Sequence, residues 1–167
     1  MATQRSEFTV PVAEFAAALL ARPEVSLRAQ VTAEQVVQLL PDTAVVVYII
    51  EDPDNPAWTR KAIAGEIEVG ATMEFSGGTL GALAENRTFM VFEGGDLQRE
   101  DYAHLDIRRT VTALAYVPLL VDEVLFGAIE LVSYEQAFPE AILEALKQVA
   151  ELAAPALPPT RWPCARA

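Results

Sequence analysis

The 167-residue chain contains one histidine, His104, and one cysteine, Cys164. His104 lies in REDYAHLD, with Asp96, Glu100, Asp101 and Asp106 close by in sequence. Carboxylates suit hard cations, but one histidine among scattered acids lacks metal-ligand spacing, so a solvated acidic loop is expected and no metal. A Ser/His/Asp triad would have to use the same histidine, and no G-x-S-x-G elbow leads into a helix. GGTLG at 77–81 is not a dinucleotide fingerprint, because its third glycine comes too soon and the βαβ context is missing. Gly77 and Gly78 are expected instead to allow a tight turn into a helix, whose N-terminus could hold an anion.

Binding chemistry is better represented than catalytic chemistry. Arg108 and Arg109 could neutralise a ligand carboxylate or phosphate, or simply pair with the acidic loop. Ala113 and Ala115 alternate with Val117 along one face of a strand, with Thr112, Leu114 and Tyr116 on the other. Such a row of small side chains either admits a helix closely or leaves room for a ligand. Tyr48, Phe92, Tyr102 and Glu130 could serve as handles in an apolar pocket, with core packing the alternative for each aromatic. With His104, Arg108, Arg109, Ala113 and Ala115 they form the candidate ligand pocket. No catalytic residue is expected, and the ligand is open.

The elements that must position these residues follow from periodicity. Residues 10–24 place Val12, Phe15, Ala16, Leu19 and Leu20 at helical spacing, and Pro23 ends the run. Thr32-Ala-Glu-Gln35 has capping-box form and predicts a short helix start, with Val36, Val37, Leu39 and Leu40 as its apolar side. TAVVVYII (43–50) reads as a strand covered on both faces. The turn-rich EDPDNP precedes a less regular strand over about 57–67, expected nearer a sheet edge. A short helix ends about Asn86, a strand covers 89–93, and a polar segment of loop and short helix covers 94–110. Strands 112–121 and 124–134 form a hairpin whose Asp122-Glu123 link predicts a slightly longer loop than two residues, since Glu resists positive φ. Pro118 implies an edge or bulge, and Gly127 a bulge or close approach. The helix over 138–157 has an apolar arc too wide for one sheet contact, so it needs a second partner. Hairpin-joined strands with helices before and after predict an antiparallel α+β sheet.

Composition bounds the partners. The chain is 52% hydrophobic and carries a net charge of −12, which suits one domain and disfavours nucleic acid and anionic membranes. No run approaches the length of a membrane span, no export signal is read at 12–21, and one cysteine agrees with a reducing cytoplasm.

In this order the elements resemble the GAF domain. QVVQLL followed by AVVVYIIEDPDN is similar to that family's opening, and GGTLGALAENRTFMVFEG to its Gly-led helix, polar break and strand. TALAYVPLLVDEVLFGAIELV is similar to its paired strands, including the strand-end proline and the glycine. The resemblance covers roughly residues 30–154, leaving 1–29 as an N-terminal helix and lead-in and 155–167 as a Pro-rich tail. It implies a central antiparallel sheet with terminal helices on one face and short helices and loops over the other. It also implies a sensory or regulatory module of bacterial-type signalling, not an enzyme, that binds a small molecule and dimerises through its N- and C-terminal helices. A ligand-free dimerisation scaffold is the alternative. Cyclic-nucleotide binders of this family carry an Asn-Lys pair where Ser133-Tyr134 stands here, and acids where Ile142-Leu143 stands. Its bilin binders and its methionine sulfoxide reductases use cysteines within the domain, and Cys164 lies outside it.

Overall fold

Thr43–Ile49 forms strand β1 in the computed structural model, which describes residues 10–159. All seven residues are buried, as a β-branched strand covered on both faces requires. The other long strands are β2 (Ala57–Ala64), β7 (Ala113–Val121) and β8 (Val124–Ser133). With the shorter β4 (Thr72–Glu74) and β5 (Met90–Glu93) they make a six-stranded antiparallel sheet of order β4-β2-β1-β8-β7-β5. A separate ribbon pairs β3 (Glu68–Val69) with β6 (Leu105–Asp106). Helices α1 (Val12–Leu20), α2 (Val25–Val37) and α4 (Glu140–Ala153) lie together, with α2 on β1 and β2 and α4 on β7. Helix α3 (Gly78–Asn86) and a 3-10 turn at Arg99–Tyr102 cover the opposite face, and an exposed 3-10 turn spans Gly94–Asp96. The expected α+β architecture is the one found.

Several expectations shift in detail. The helix expected to start at Thr32 is the second half of α2, which begins right after Pro23-Glu24 with Glu24 extended. Thr32 is buried inside it and donates its hydroxyl to the Arg28 carbonyl at 2.9 Å, back-bonding within the helix rather than capping it. The second partner of α4 comes from the same chain, because α1 and α2 pack against it. Strand β2 does lie near the sheet edge, beside the three-residue edge strand β4, which pairs only with Ala57–Thr59.

The β7–β8 hairpin is tighter than expected. Val121 pairs with Val124, and Asp122 and Glu123 both take positive φ, 50° and 66°. This is the conformation that favours Asn-Gly, and a left-handed Glu carries a steric cost. Glu123→Gly is therefore expected to stabilise the domain by about 0.5–1 kcal/mol, read as a higher urea midpoint at unchanged slope. Pro118 sits beyond the last β5–β7 pair, Met90–Tyr116, where β7 has β8 alongside on one side only. Opposite Leu119 and Leu120 the register slips by one, leaving Phe126 as an extra residue before Gly127.

Candidate functional site

Glu130 is the deepest charged side chain of the sheet, 0% exposed in the middle of β8. Register sets Tyr116 of β7 directly opposite it, and Val46 of β1 on its other side. Tyr48, two residues along β1 from Val46, shares that face. The Tyr48 hydroxyl donates to Glu130 Oε1 at 2.7 Å, and the Tyr116 hydroxyl donates to Oε2. His104, from the irregular segment above, brings Nε2 to 2.8 Å from Oε2. A carboxylate can only accept, so Nε2 carries the proton. Thr79 of α3 extends the chain with its hydroxyl 2.6 Å from the Tyr116 oxygen, while the Asp101 carbonyl lies within its reach at 3.1 Å. Strands β1 and β7 and the irregular segment thus each place a donor on one carboxylate, with no Lys or Arg in contact among the described residues.

Aromatic rings wall this cluster. The Tyr48 ring stands edge-on to Trp58 and to His104, each at 6.3 Å, and Trp58 stacks on Phe75 at 5.4 Å. His104 retains 13% side-chain exposure. It opens onto a cleft of about 350 Å3 between α3 and the 99–104 turn, lined also by Met73, Glu74, Gly78, Leu80, Glu100 and Asp101. Gly78 has φ +62°, and a Cβ there would stand 2.7 Å from the Asp101 carbonyl oxygen. The turn anticipated at Gly77-Gly78 therefore also fits α3 against the irregular segment. Among the described residues no three His, Cys, Asp or Glu side chains gather as metal ligands.

Burial first, then the Glu130 charge and its hydrogen bond, push the phenols of Tyr48 and Tyr116 well above their ordinary pKa. Their protonated form is therefore favoured by folding. The stabilisation is complete below about pH 10, where a free tyrosine ionises, and is lost as pH rises above it, by about 1.4 kcal/mol per pH unit for each phenol. In an alkaline titration, phenolate absorbance from Tyr48 and Tyr116 is expected only with cooperative loss of circular dichroism. The double variant Tyr48→Phe/Tyr116→Phe should lose that steep component. Ionisation of these phenols in a still-folded domain would contradict the assignment.

Of the nine candidate residues, Tyr48, His104 and Glu130 meet in this cluster. Phe92 is one step out, edge-on to Tyr116 at 6.0 Å. Tyr102 is buried in its turn with the Arg99 guanidinium over its ring. Arg108 and Arg109 lie elsewhere, on a groove of about 370 Å3 beside Tyr134, Glu66 and Asp106. Arg109 sits 4.3 Å from the Tyr134 ring and pairs with Glu66 and Glu135 rather than with the 94–110 segment. Ala113 and Ala115 alternate onto the face opposite Tyr116, where α4 packs. Cys164 lies outside the described residues.

Sequence reasoning missed Tyr116 and Thr79 as members. Tyr116 was visible two residues from Leu114 on the non-alanine face, but its opposition to Glu130 depends on the extra residue at Phe126.

The GAF domain family model matches residues 24–157. The chain belongs to the GAF domain family. Solved structures agree at the level of the fold. The GAF domain from Acinetobacter phosphoenolpyruvate-protein phosphotransferase superposes with TM-score 0.71 at 14% identity, covering 87% of this chain and 89% of that one. The free methionine-R-sulfoxide reductase from Neisseria meningitidis, in complex with its substrate, gives TM-score 0.73 at 16% identity, covering 87% and 85%. The cyanobacteriochrome TePixJ GAF domain gives 0.63 at 17%, covering 83% and 92%. No curated protein matches the chain in sequence. Relatives of this fold thus include both signalling domains and reductases. Among the described residues of this GAF domain, no helix is long and apolar enough to cross a membrane.

Proposed function

We propose that this GAF domain is a cytoplasmic sensory module that binds a small molecule at the Glu130 cluster, beneath the 94–110 segment. The observation that carries the reading is a fully buried carboxylate held by Tyr48, Tyr116 and His104 with no Lys or Arg partner among the described residues. Burying such a group costs several kcal/mol unless it is fully paired, and an apolar residue of similar volume serves a scaffold as well. Ligand entry would reorder the 94–110 segment, which runs directly into β7. The other face of β7 carries α4, which packs with α1 and α2. Output through these terminal helices in a homodimer, by population shift, fits that continuity. A non-enzymatic role is favoured over a reductase one, because the matched region 24–157 contains no cysteine.

A ligand-free dimerisation scaffold is the second reading. It is favoured by a cluster already satisfied internally, with no buried polar side-chain atom lacking a partner among the described residues. Native mass spectrometry of the purified domain, before and after denaturing release, separates the two. A reproducible small molecule released from a dimer supports the sensor. An empty dimer supports the scaffold, and a monomer at micromolar concentration removes terminal-helix dimerisation from both.

A further inference from the structure

We infer that the molecule taken by the Glu130 site is a small organic cation with forked or multiple N–H donors, an ammonium or amidinium, and that His104 is its tethered stand-in. This rests on the sensory reading above and narrows it to a ligand class.

Glu130 accepts from two tyrosine hydroxyls fixed on neighbouring strands and from one ring nitrogen, His104 Nε2, on the irregular segment. The strand donors are fully buried and locked by register, whereas among the three donors to Glu130 His104 is the one with solvent exposure and the one whose backbone lies outside the six-stranded sheet. The donor that can leave is therefore a nitrogen that can also carry a positive charge. A molecule replacing it must supply the same thing, an N–H pointed at Oε2. Charge increases the value of that contact, because the carboxylate has no other cationic neighbour among the described residues. An anion in the same place would meet Glu130 with no basic side chain to offset it.

The surroundings select in the same direction. The side chains that bound the cleft at His104 include Glu74, Glu100 and Asp101 but no Lys or Arg. The Tyr48 ring lies 6.3 Å from that of His104, and the face of an aromatic ring attracts a cation. The groove at Arg108 and Arg109, the other candidate for an anion, is separate and already engaged with Glu66 and Glu135 through Arg109.

The test uses three molecules of nearly the same shape: acetamidinium, acetamide and acetate, titrated into the full chain at constant ionic strength. His104 is the only histidine, so its ring resonances report the site without assignment ambiguity. Acetamidinium is expected to shift them saturably and to increase amide exchange across residues 94–110. Acetamide and acetate should bind at least about tenfold more weakly. Glu130→Gln should weaken acetamidinium by about tenfold or more, and His104→Ala should strengthen it, since the competing ring is gone. If Glu130→Gln does not fold, the comparison of the three molecules on the parent chain decides alone. Equal responses to all three, or preference for acetate, overturn the cation assignment while leaving a sensor of another ligand class. No response to acetamidinium in either the parent or His104→Ala overturns it as well. The sensory reading itself then stands or falls on whether denaturing release yields any bound molecule.

Discussion

Replacing Gly127 with alanine is expected to cost about 3 kcal/mol, and valine more, enough to remove much of the stability of a domain this size. A Cβ at this position would stand 2.4 Å from the Tyr48 backbone oxygen, with Ile49 Cδ1 at 3.0 Å and Leu119 Cδ1 at 3.1 Å. The first of these contacts is with main chain, which cannot rotate away. Gly127 pairs with Ile49 on one side and Leu119 on the other, so β1 and β7 both confine it. Relief would require the two central strands to separate where the sheet is most deeply buried. Urea unfolding should show a large drop in midpoint with little change in slope. A variant within about 0.5 kcal/mol of the parent would mean that β1 and β8 can move apart freely, contrary to their packing.

Glu130→Ala is expected to destabilise by a similar amount, about 3–5 kcal/mol, for a different reason. The substitution leaves a cavity and strips three donors, the buried hydroxyls of Tyr48 and Tyr116 and the partly exposed His104 ring, of their acceptor. Glu130→Gln keeps one acceptor oxygen and should cost only about 1–2 kcal/mol. The combination Glu130→Leu/Tyr48→Phe/Tyr116→Phe removes the orphaned hydroxyls too and should recover most of the loss, a non-additivity that single variants conceal. Equilibrium unfolding of the four proteins at one pH gives the order directly. If the triple variant were the least stable, the cluster would be a structural asset, and the argument that Glu130 is retained for binding would fail. If it is stable yet indifferent to ligand, the carboxylate is there for recognition.

Much of this fold was legible in the sequence because its central strands are nearly pure signals. TAVVVYI could be little else than a doubly covered strand, and the hairpin around Asp122-Glu123 was bounded by two apolar runs. The helix boundary at Thr32 was misread because a hydroxyl that caps in one context back-bonds in another, and only the buried neighbours distinguish them. β3, β4 and β6 have two or three residues each, fewer than one period of alternation can reveal. The site was half legible. Tyr48, Glu130 and His104 stood out as polar groups in apolar or unusual settings. Tyr116 did not, because counting back from a two-residue turn sets it against Ile129, and the extra residue at Phe126 moves it to Glu130. Thr79 needed the placement of α3 over the sheet, a long-range fact. Ala113 and Ala115 were ambiguous by nature, since small residues suit a helix and a ligand equally until the covering element is known.

The ladder between β1 and β8 has a consequence for how the chain is made. It joins the first strand of the sheet to the last, so that Val45 meets Leu131 and Val47 meets Ile129. During synthesis β1 emerges early, and β2 can cover one of its edges at once through a local hairpin. The other edge must wait until residue 133 has left the ribosome. Over that interval an uncharged, β-branched segment presents open backbone groups, the signature of a strand that pairs with the wrong neighbour. The domain is therefore most exposed to misassembly before its last third exists. Interrupting translation between α3 and β7 should yield nascent chains that depend on chaperones far more than the finished domain does.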